Sequence, residues 1–176
     1  GTDGTLTSGY ALYRAKSDGT GVKTVVRGLR FPRELSIDLK NGVIYLIDQD
    51  ALLALPIAGG REKVIPAKAI RARDNPKSVV VDTENGRLIC ASKEFWSMNL
   101  DGSESRRVEV LENGFVRDLL VDSVTQRLYW ADSLGVCRAA YDGTMKERVT
   151  DDARYVSACR FALDSSSGEL FWLANN

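Results

Sequence analysis

The sequence predicts an all-β fold made of four-stranded antiparallel sheets, and two repeating patterns support that prediction. In the first pattern, an apolar segment ends in an aspartate and a second apolar segment follows after a short turn. The four aspartates, spaced by 44, 40 and 42 residues, are Asp38, Asp82, Asp122 and Asp164. In the second pattern, Asp-Gly turns recur out of phase with the first, beginning at Asp18, Asp101 and Asp142, and Ala58-Gly59-Gly60 stands where the remaining one is due. Each unit therefore has two hairpin turns, which is typical of four short strands.

The apolar segments between these turns place the strands in order along the chain. A first pair covers Tyr10–Arg14 and Val22–Val26, complete sets of four begin at Leu35, Ser78 and Val116, and a last pair covers Val156–Leu163 and Glu169–Leu173. Four strands in each period of roughly 40–45 residues are typical of a β-propeller blade. The count predicts about four blades in a single domain, residues 1–176. It allows a small closed ring whose terminal pairs share one blade, or part of a larger ring.

Composition excludes several classes of function. The chain has 24 basic and 24 acidic residues, and this zero net charge disfavours non-specific binding to nucleic acid. No apolar run approaches the ~20 residues of a membrane span, so we expect no membrane insertion by this segment. The absence of histidine excludes imidazole-based triads and imidazole metal sites. We therefore predict no catalytic residues, no metal and no cofactor.

The three cysteines, Cys90, Cys137 and Cys159, lie in apolar, strand-like contexts and lack the Cys-x-x-Cys spacing. This pattern favours buried free thiols, because a free cysteine behaves as a small apolar residue. One disulfide plus a spare thiol is the alternative.

One segment carries a recognisable motif. Residues 127–133 read Arg-Leu-Tyr-Trp-Ala-Asp-Ser, and an Asp-Gly turn follows at Asp142. The segment resembles the YWTD repeat, the class B repeat of the low-density lipoprotein receptor family. The Pro-x-x-Leu-x-Val-Asp element of that family is echoed at residues 32–38 and 76–82. Weaker copies of the motif occur at Tyr45-Leu46-Ile47-Asp48 and at Phe171-Trp172.

The resemblance implies an extracellular, six-bladed propeller that recognises proteins or packs against neighbouring modules. It also implies that Asp48 and Asp132 accept backbone N–H bonds that hold neighbouring strands. The motif aromatics are expected to pack between adjacent blades, where large flat side chains bury much area; they are Tyr45, Tyr129, Trp130, Phe171 and Trp172. The chain departs from the family in being too short for six blades, in lacking cysteine-rich flanking modules and in lacking the histidines some members use for acid-triggered release.

Three basic residues recur at equivalent positions. Arg33, Lys77 and Arg117 each stand five residues before a repeat aspartate, so rotational repetition predicts that they ring one mouth of the propeller channel. Phe31 and Phe115 lie beside two of them. One interpretation is a cationic, partly aromatic surface for an acidic protein or an anionic glycan. The other is that each basic side chain is solvated or pairs with a nearby acid such as Glu34 or Asp118.

Trp96 lies outside the motif position and follows Phe95. Because successive side chains on a strand point to opposite faces, we expect one of the two to be exposed and available for ligand contact.

These features favour a non-catalytic recognition domain of a secreted or cell-surface protein, which binds a protein ligand or an adjacent domain through a propeller face. A lectin-like module with one weak glycan site per blade is an alternative. A metal-dependent propeller hydrolase or lactonase is a further alternative, but the only acids common to all repeats are predicted to form turns.

Overall fold

The computed structural model describes residues 9–61, 63–65, 76–111, 116–132, 135–149 and 160–173. These residues form antiparallel β-strands arranged in five sheets. The strands are β1 (Tyr10–Arg14), β2 (Lys23–Leu29), β3 (Pro32–Asp38), β4 (Val43–Asp48), β5 (Ala51–Pro56), β6 (Lys63–Ile65), β7 (Ser78–Asp82), β8 (Arg87–Ala91), β9 (Glu94–Asn99), β10 (Arg106–Val110), β11 (Asp118–Asp122), β12 (Arg127–Asp132), β13 (Gly135–Ala140), β14 (Glu147–Arg148), β15 (Arg160–Asp164) and β16 (Glu169–Leu173).

Three sheets are complete blades in which the spatial order of the strands equals their order in the chain. We call them blade 1 (β3–β6), blade 2 (β7–β10) and blade 3 (β11–β14). The N-terminal pair (β1–β2) and the C-terminal pair (β15–β16) are two-stranded sheets. The first strands of successive blades contact one another, so they lie innermost around the axis. The predicted all-β architecture of four-stranded antiparallel blades is therefore confirmed.

The repeat aspartates fix the turn between the first and second strands of each blade. In every sheet that contains it, the repeat aspartate pairs across the ladder with the residue five positions later, as Asp82 does with Arg87. Each carboxylate also accepts hydrogen bonds from residues two or three positions further on. An aspartate that caps its own turn in this way sets the register of the hairpin, and so decides which side chains face each neighbouring blade.

The apolar core lies between blades, because each interior blade is covered on both faces. Between blades 1 and 2 it contains Tyr45, Ile47, Leu88, Cys90 and Met98, among others. Between blades 2 and 3, Ile89 and Ala91 pack with Phe95 and Trp130. Alternating residues of β8 thus enter two different cores, which is why this strand reads as an uninterrupted apolar run.

The two ends of the described structure differ from its interior. The N-terminal and C-terminal pairs belong to separate sheets, so the described strands do not form the shared terminal blade of a closed ring. Leu35 and Ile37 of β3 are exposed, and so are Phe171 and Leu173 of β16. The five sheets form an arc around the axis, and an apolar sheet face is therefore open to solvent at each end of it.

Cys90 and Cys137 are free thiols and both are buried, whereas Cys159 lies outside the described residues. Burial raises the pKa of the Cys90 thiol to about 12. Among the described residues there is no helix with the length and apolar character required to traverse a bilayer.

Candidate functional site

The blades present two rims. The aspartate rim carries the turns that follow the first and third strands of each blade, and so contains the repeat aspartates and the Asp-Gly turns. The opposite rim carries the starts of the innermost strands β3, β7 and β11, together with the turns that follow the second strands.

The structure brings the three basic residues to the opposite rim. Arg33, Lys77 and Arg117 lie at or next to the starts of adjacent innermost strands. Arg33 and Arg117 are exposed, while Lys77 is half-buried and has interaction partners. Phe31 lies close by, 61% exposed, with its ring centroid 6.4 Å from that of Tyr10. Phe115 lies outside the described residues.

The two acids expected to neutralise these basic side chains are directed toward the next blade instead. Asp118 forms an ion pair with Arg160 at 3.4 Å and accepts a hydrogen bond from the Phe161 N–H at 2.9 Å. Burial raises the pKa of Glu34, and the charge of Asp118 adds to the effect. Both carboxylates therefore act between innermost strands, and Arg33 and Arg117 stay available to solvent.

Arg160 is a residue that the sequence analysis missed. It occupies the position four residues before the last repeat aspartate, where the earlier repeats carry Glu34, Ser78 and Asp118. Glu34 lies close to Ser78 of blade 2, and the acid of blade 3 meets a base in the C-terminal pair. Alignment of the repeats at that position would have revealed the opposite charges.

The expectation that either Phe95 or Trp96 is exposed is wrong. Trp96 is 8% exposed and packs between blades 1 and 2, where its indole Nε1 donates to Glu94 Oε2 at 3.2 Å. Phe95 is fully buried between blades 2 and 3. Because blade 2 has a neighbour on each side, neither face of β9 reaches solvent, and Trp96 is removed from the candidate binding residues.

The burial of the motif aromatic residues depends on whether they lie in the interior or at the C-terminal end of the row of sheets. Tyr45 and Trp130 are buried between blades, and Tyr129 is buried as well. Phe171 is 59% exposed, because no described blade lies against its face. Trp172 is half-buried and packs against the cluster around Ala131 and Val136.

The two motif aspartates hold different groups. Asp48 accepts hydrogen bonds from the backbone N–H groups of Arg30 and Phe31, at 2.7 to 3.0 Å. It therefore fixes the segment that links the N-terminal pair to blade 1. Asp132 is buried and accepts a bond from the Trp130 indole at 3.3 Å.

At the aspartate rim, a hydrogen-bond network joins blades 2 and 3. The buried Asp82 carboxylate accepts bonds from Asn85 of its own turn, and from Ser123 and Tyr141 of blade 3 at 2.7 and 2.6 Å. Burial alone would raise the pKa of Asp82, but these hydrogen bonds outweigh it and the pKa is lowered. Burial, together with the hydrogen bond to Asp82, raises the pKa of Tyr141. The network stays fixed in one protonation state at neutral pH.

Within the part of the chain that the structure describes, no group of three or more acidic or cysteine side chains is arranged to hold a metal ion. The aspartates of the Asp-Gly turns accept bonds from their own turns, and these bonds lower the pKa of Asp18, Asp101 and Asp142.

Comparison with known proteins identifies the fold. No family model matches the chain. The chain is similar to solved structures of β-propellers, including the WD40 β-propeller domain of Doa1, at a TM-score of 0.69 and 15% identity over 94% of this chain and 55% of that one. The chain has a β-propeller fold.

Two further similarities support the fold assignment. A chain in the crystal structure of a nidogen/laminin complex matches at a TM-score of 0.76 and 18% identity, over 90% of this chain and 62% of that one. TolB from Acinetobacter baumannii matches at a TM-score of 0.74 and 13% identity, over 94% of this chain and 43% of that one. The chain thus spans less than two thirds of the length of each of these propellers.

Proposed function

We propose that this propeller is a non-catalytic recognition domain of a secreted or cell-surface protein. It binds a protein ligand through the opposite rim, at the starts of the innermost strands β3, β7 and β11. The observation that carries the proposal is the exposure of Arg33, Arg117 and Phe31 at one end of the innermost strands. Arginine and aromatic side chains are enriched where protein interfaces derive most of their binding energy.

The motif residues support the same proposal. The segment around Tyr129, Trp130 and Asp132 resembles the YWTD repeat, and we propose that the chain belongs to that class. One similar solved structure is a complex of nidogen with laminin, which is consistent with protein recognition outside the cell. In this proposal the chain corresponds to part of a six-bladed ring, and further blades cover the apolar faces at β3 and β16.

The test measures binding of the purified domain to a panel of extracellular-matrix and cell-surface proteins, including laminin, by biolayer interferometry. We expect at least one ligand whose affinity falls about tenfold or more in the double variant Arg33→Glu/Arg117→Glu, since both charges are reversed at the contact. The control Arg14→Glu/Arg61→Glu reverses two exposed arginines that lie toward the aspartate rim, and it should bind as the wild type does. Equal affinity in the two double variants would remove the opposite rim from the proposal.

A further inference from the structure

A cavity of about 440 Å³ opens on the aspartate rim between blades 2 and 3. Its lining includes Arg87, Arg106 and Glu104 of blade 2, and Gln126 and Tyr141 of blade 3. The cavity lies at the other end of the strands from the rim that carries Arg33 and Arg117, so it is a separate surface.

The Arg87 side chain in this cavity is held by hydrogen bonds within blade 2. Its guanidinium donates to Ser97 Oγ from Nε at 3.2 Å and from Nη2 at 2.9 Å, and to Asn99 Oδ1 from Nη1 at 2.7 Å. Both acceptors are neutral, so these bonds orient the group without pairing it with an acid, although Glu104 is close enough for its charge to oppose the lowering of the Arg87 pKa. Three of the five guanidinium N–H donors are used among the described residues, and two remain, which is the number that a carboxylate accepts in a bidentate pair.

Blade 3 shows what an arginine at this position binds when an acid is present. Arg127 is the equivalent of Arg87, since each stands five residues after its repeat aspartate. Arg127 contacts Glu147 Oε1 at 3.1 Å, and Arg138 contacts the same oxygen at 2.7 Å. One carboxylate thus joins two guanidiniums on the surface of that blade.

In blade 2 the residue equivalent to Glu147 is Arg106. The strand pairing establishes this, because Arg138 lies opposite Glu147 in blade 3 and its equivalent Ser97 lies opposite Arg106 in blade 2. A second cation therefore replaces the acid beside Arg87, and the charge of Arg106 adds to burial in lowering the pKa of Arg87. Arg106 is exposed and forms no ion pair among the described residues. The place taken by a carboxylate in blade 3 is left to a carboxylate from outside the chain.

The far wall of the cavity is already ordered. Gln126 Nε2 donates to Asn85 Oδ1 at 3.1 Å, and Asn85 and Tyr141 both donate to the buried Asp82. Among the described residues, the second amide hydrogen of Gln126 has no acceptor, so the wall can donate to an incoming oxygen without rearrangement, which lowers the entropic cost of binding.

Two acids limit the amount of negative charge that the cavity accepts. Glu104 lines it, and Asp142 lies close enough for Arg106 to contribute to lowering its pKa. A highly sulfated glycan would bring several negative charges against these carboxylates, whereas a single carboxylate meets mainly the two guanidiniums.

We propose that this cavity binds an aspartate or glutamate side chain of a protein ligand, with the carboxylate between Arg87 and Arg106 in the position that Glu147 has in blade 3. The proposal rests on the proposed role in protein recognition and gives the ligand a second contact, on the aspartate rim.

The test uses a capped tripeptide, acetyl-Gly-Glu-Gly-amide, titrated into the whole chain while NMR follows the Arg87 Nε–H and the Gln126 side-chain amide. We expect saturable shifts of both signals, which the matching Gln tripeptide does not produce. Arg106→Glu recreates the charge pattern of blade 3 and should abolish the shifts, while Arg107→Glu, on the neighbouring exposed residue, should leave them unchanged. Arg106→Gln should weaken binding by about tenfold, because one charge-assisted contact is lost.

Absence of saturable shifts in the wild type, or equal shifts with Arg106→Glu, would overturn the inference. Stronger binding of a heparin disaccharide than of the Glu tripeptide would reassign the cavity to sulfated glycans. The result of the tripeptide titration can be distinguished from that of the protein-binding test at the opposite rim. If the tripeptide fails to bind while Arg33 and Arg117 still support protein binding, this inference alone falls. If the tripeptide binds and the protein panel gives no ligand, the proposed function falls.

Discussion

Asp82 and Asp164 hold the same position in their repeats but have different surroundings. Both carboxylates cap their own turns. Asp82 is also fully buried and accepts bonds from Ser123 and Tyr141 of the next blade, whereas Asp164 is exposed and its bonds come from Ser166 and Ser167. The repeat therefore encodes the turn locally, and the neighbouring blade supplies burial and the link between blades.

The aromatic positions show the same difference. Tyr129 and Phe171 both stand seven residues after a repeat aspartate, yet Tyr129 is 7% exposed and Phe171 is 59% exposed. A motif residue is thus buried only where a neighbouring sheet covers it. Substitutions of motif aromatic residues in the interior and at the C-terminal end measure how much the neighbouring sheet contributes.

The largest effect is expected at Trp130. It is 1% exposed and packs against Phe95 with ring centroids 5.1 Å apart, so Trp130→Ala should lower the free energy of unfolding by about 3–5 kcal/mol. Phe171→Ala should change it by less than about 0.5 kcal/mol, as is usual for an exposed side chain. Urea denaturation followed by circular dichroism measures both. A large effect of Phe171→Ala would show that its face is covered in solution, by a second copy or by further chain.

The outcome for Trp96 shows what a single sequence cannot indicate. Hydrophobic alternation on a strand predicts two faces but not how many of them are covered. The turns at Asp38 and Asp82 were predictable because capping depends on residues two or three positions away. Burial of both Phe95 and Trp96 depends on two neighbouring blades, and so on contacts between distant residues.

The two candidate sites also differ in whether residue spacing along the chain predicts them. The equal spacing of Arg33, Lys77 and Arg117 from the repeat aspartates was sufficient to place them at one rim. The pair formed by Arg87 and Arg106 was not visible, because it depends on the cross-strand register that aligns Arg106 with Ser97. Comparing the charges of equivalent residues between blades, rather than along the chain, would have found it.

The second expected effect concerns the network at Asp82. Asp82→Ala removes the acceptor of three side-chain donors and leaves the Tyr141 hydroxyl half-buried without it, so we expect a loss of about 3 kcal/mol. Asp164→Ala removes only the cap of an exposed turn and should change stability much less. Thermal unfolding of the two variants beside the wild type makes the comparison. Equal losses would mean that the turn, rather than the link between blades, accounts for the stabilisation.

Acid dependence sharpens this prediction. The folded state holds the pKa of Asp82 below its ordinary value of 3.8, so its contribution is present above that value. It is lost as the pH falls through the lowered folded value. The wild type should therefore lose its advantage over Asp82→Ala only in strongly acidic solution. A difference between the two proteins that disappears between pH 7 and pH 5 would contradict the assignment.

A third comparison uses two glycines of the turns. Gly143 and Gly168 both have positive φ, 86° and 74°. A Cβ at Gly143 would overlap the carbonyl oxygen of Val108 in blade 2, whereas a Cβ at Gly168 meets nothing within 4 Å. Gly168→Ala should cost about 1 kcal/mol of backbone strain, and Gly143→Ala about 2 kcal/mol or more, because the Val108 backbone must also move. Equal costs would show that blades 2 and 3 do not approach this closely in solution.

The smallest effect is expected from Glu34, which holds the same repeat position as Asp118 but lies against a serine of the next blade rather than in an ion pair with an arginine. Asp118 faces Arg160, whereas Glu34 faces the Ser78 and Val79 region of blade 2, where burial raises its pKa. Because its folded pKa lies above the ordinary 4.5, the ionised carboxylate destabilises the fold at neutral pH. The penalty is relieved as the pH falls through the folded value. Glu34→Gln should therefore raise the melting temperature slightly at pH 7 and have no such effect below pH 4.5. Asp118→Asn, which leaves Arg160 unpaired, should lower it at pH 7.

The matched control for Glu34→Gln is Glu84→Gln, which removes one negative charge from an exposed turn and should leave the melting temperature unchanged at both pH values. A gain of the same size in Glu84→Gln would mean that overall charge, rather than burial between innermost strands, is responsible. A loss of stability in Glu34→Gln at pH 7 would mean that the carboxylate stabilises the contact between blades 1 and 2. The side chains four residues before the repeat aspartates would then make favourable contacts between adjacent innermost strands, in the interior as well as at the C-terminal end.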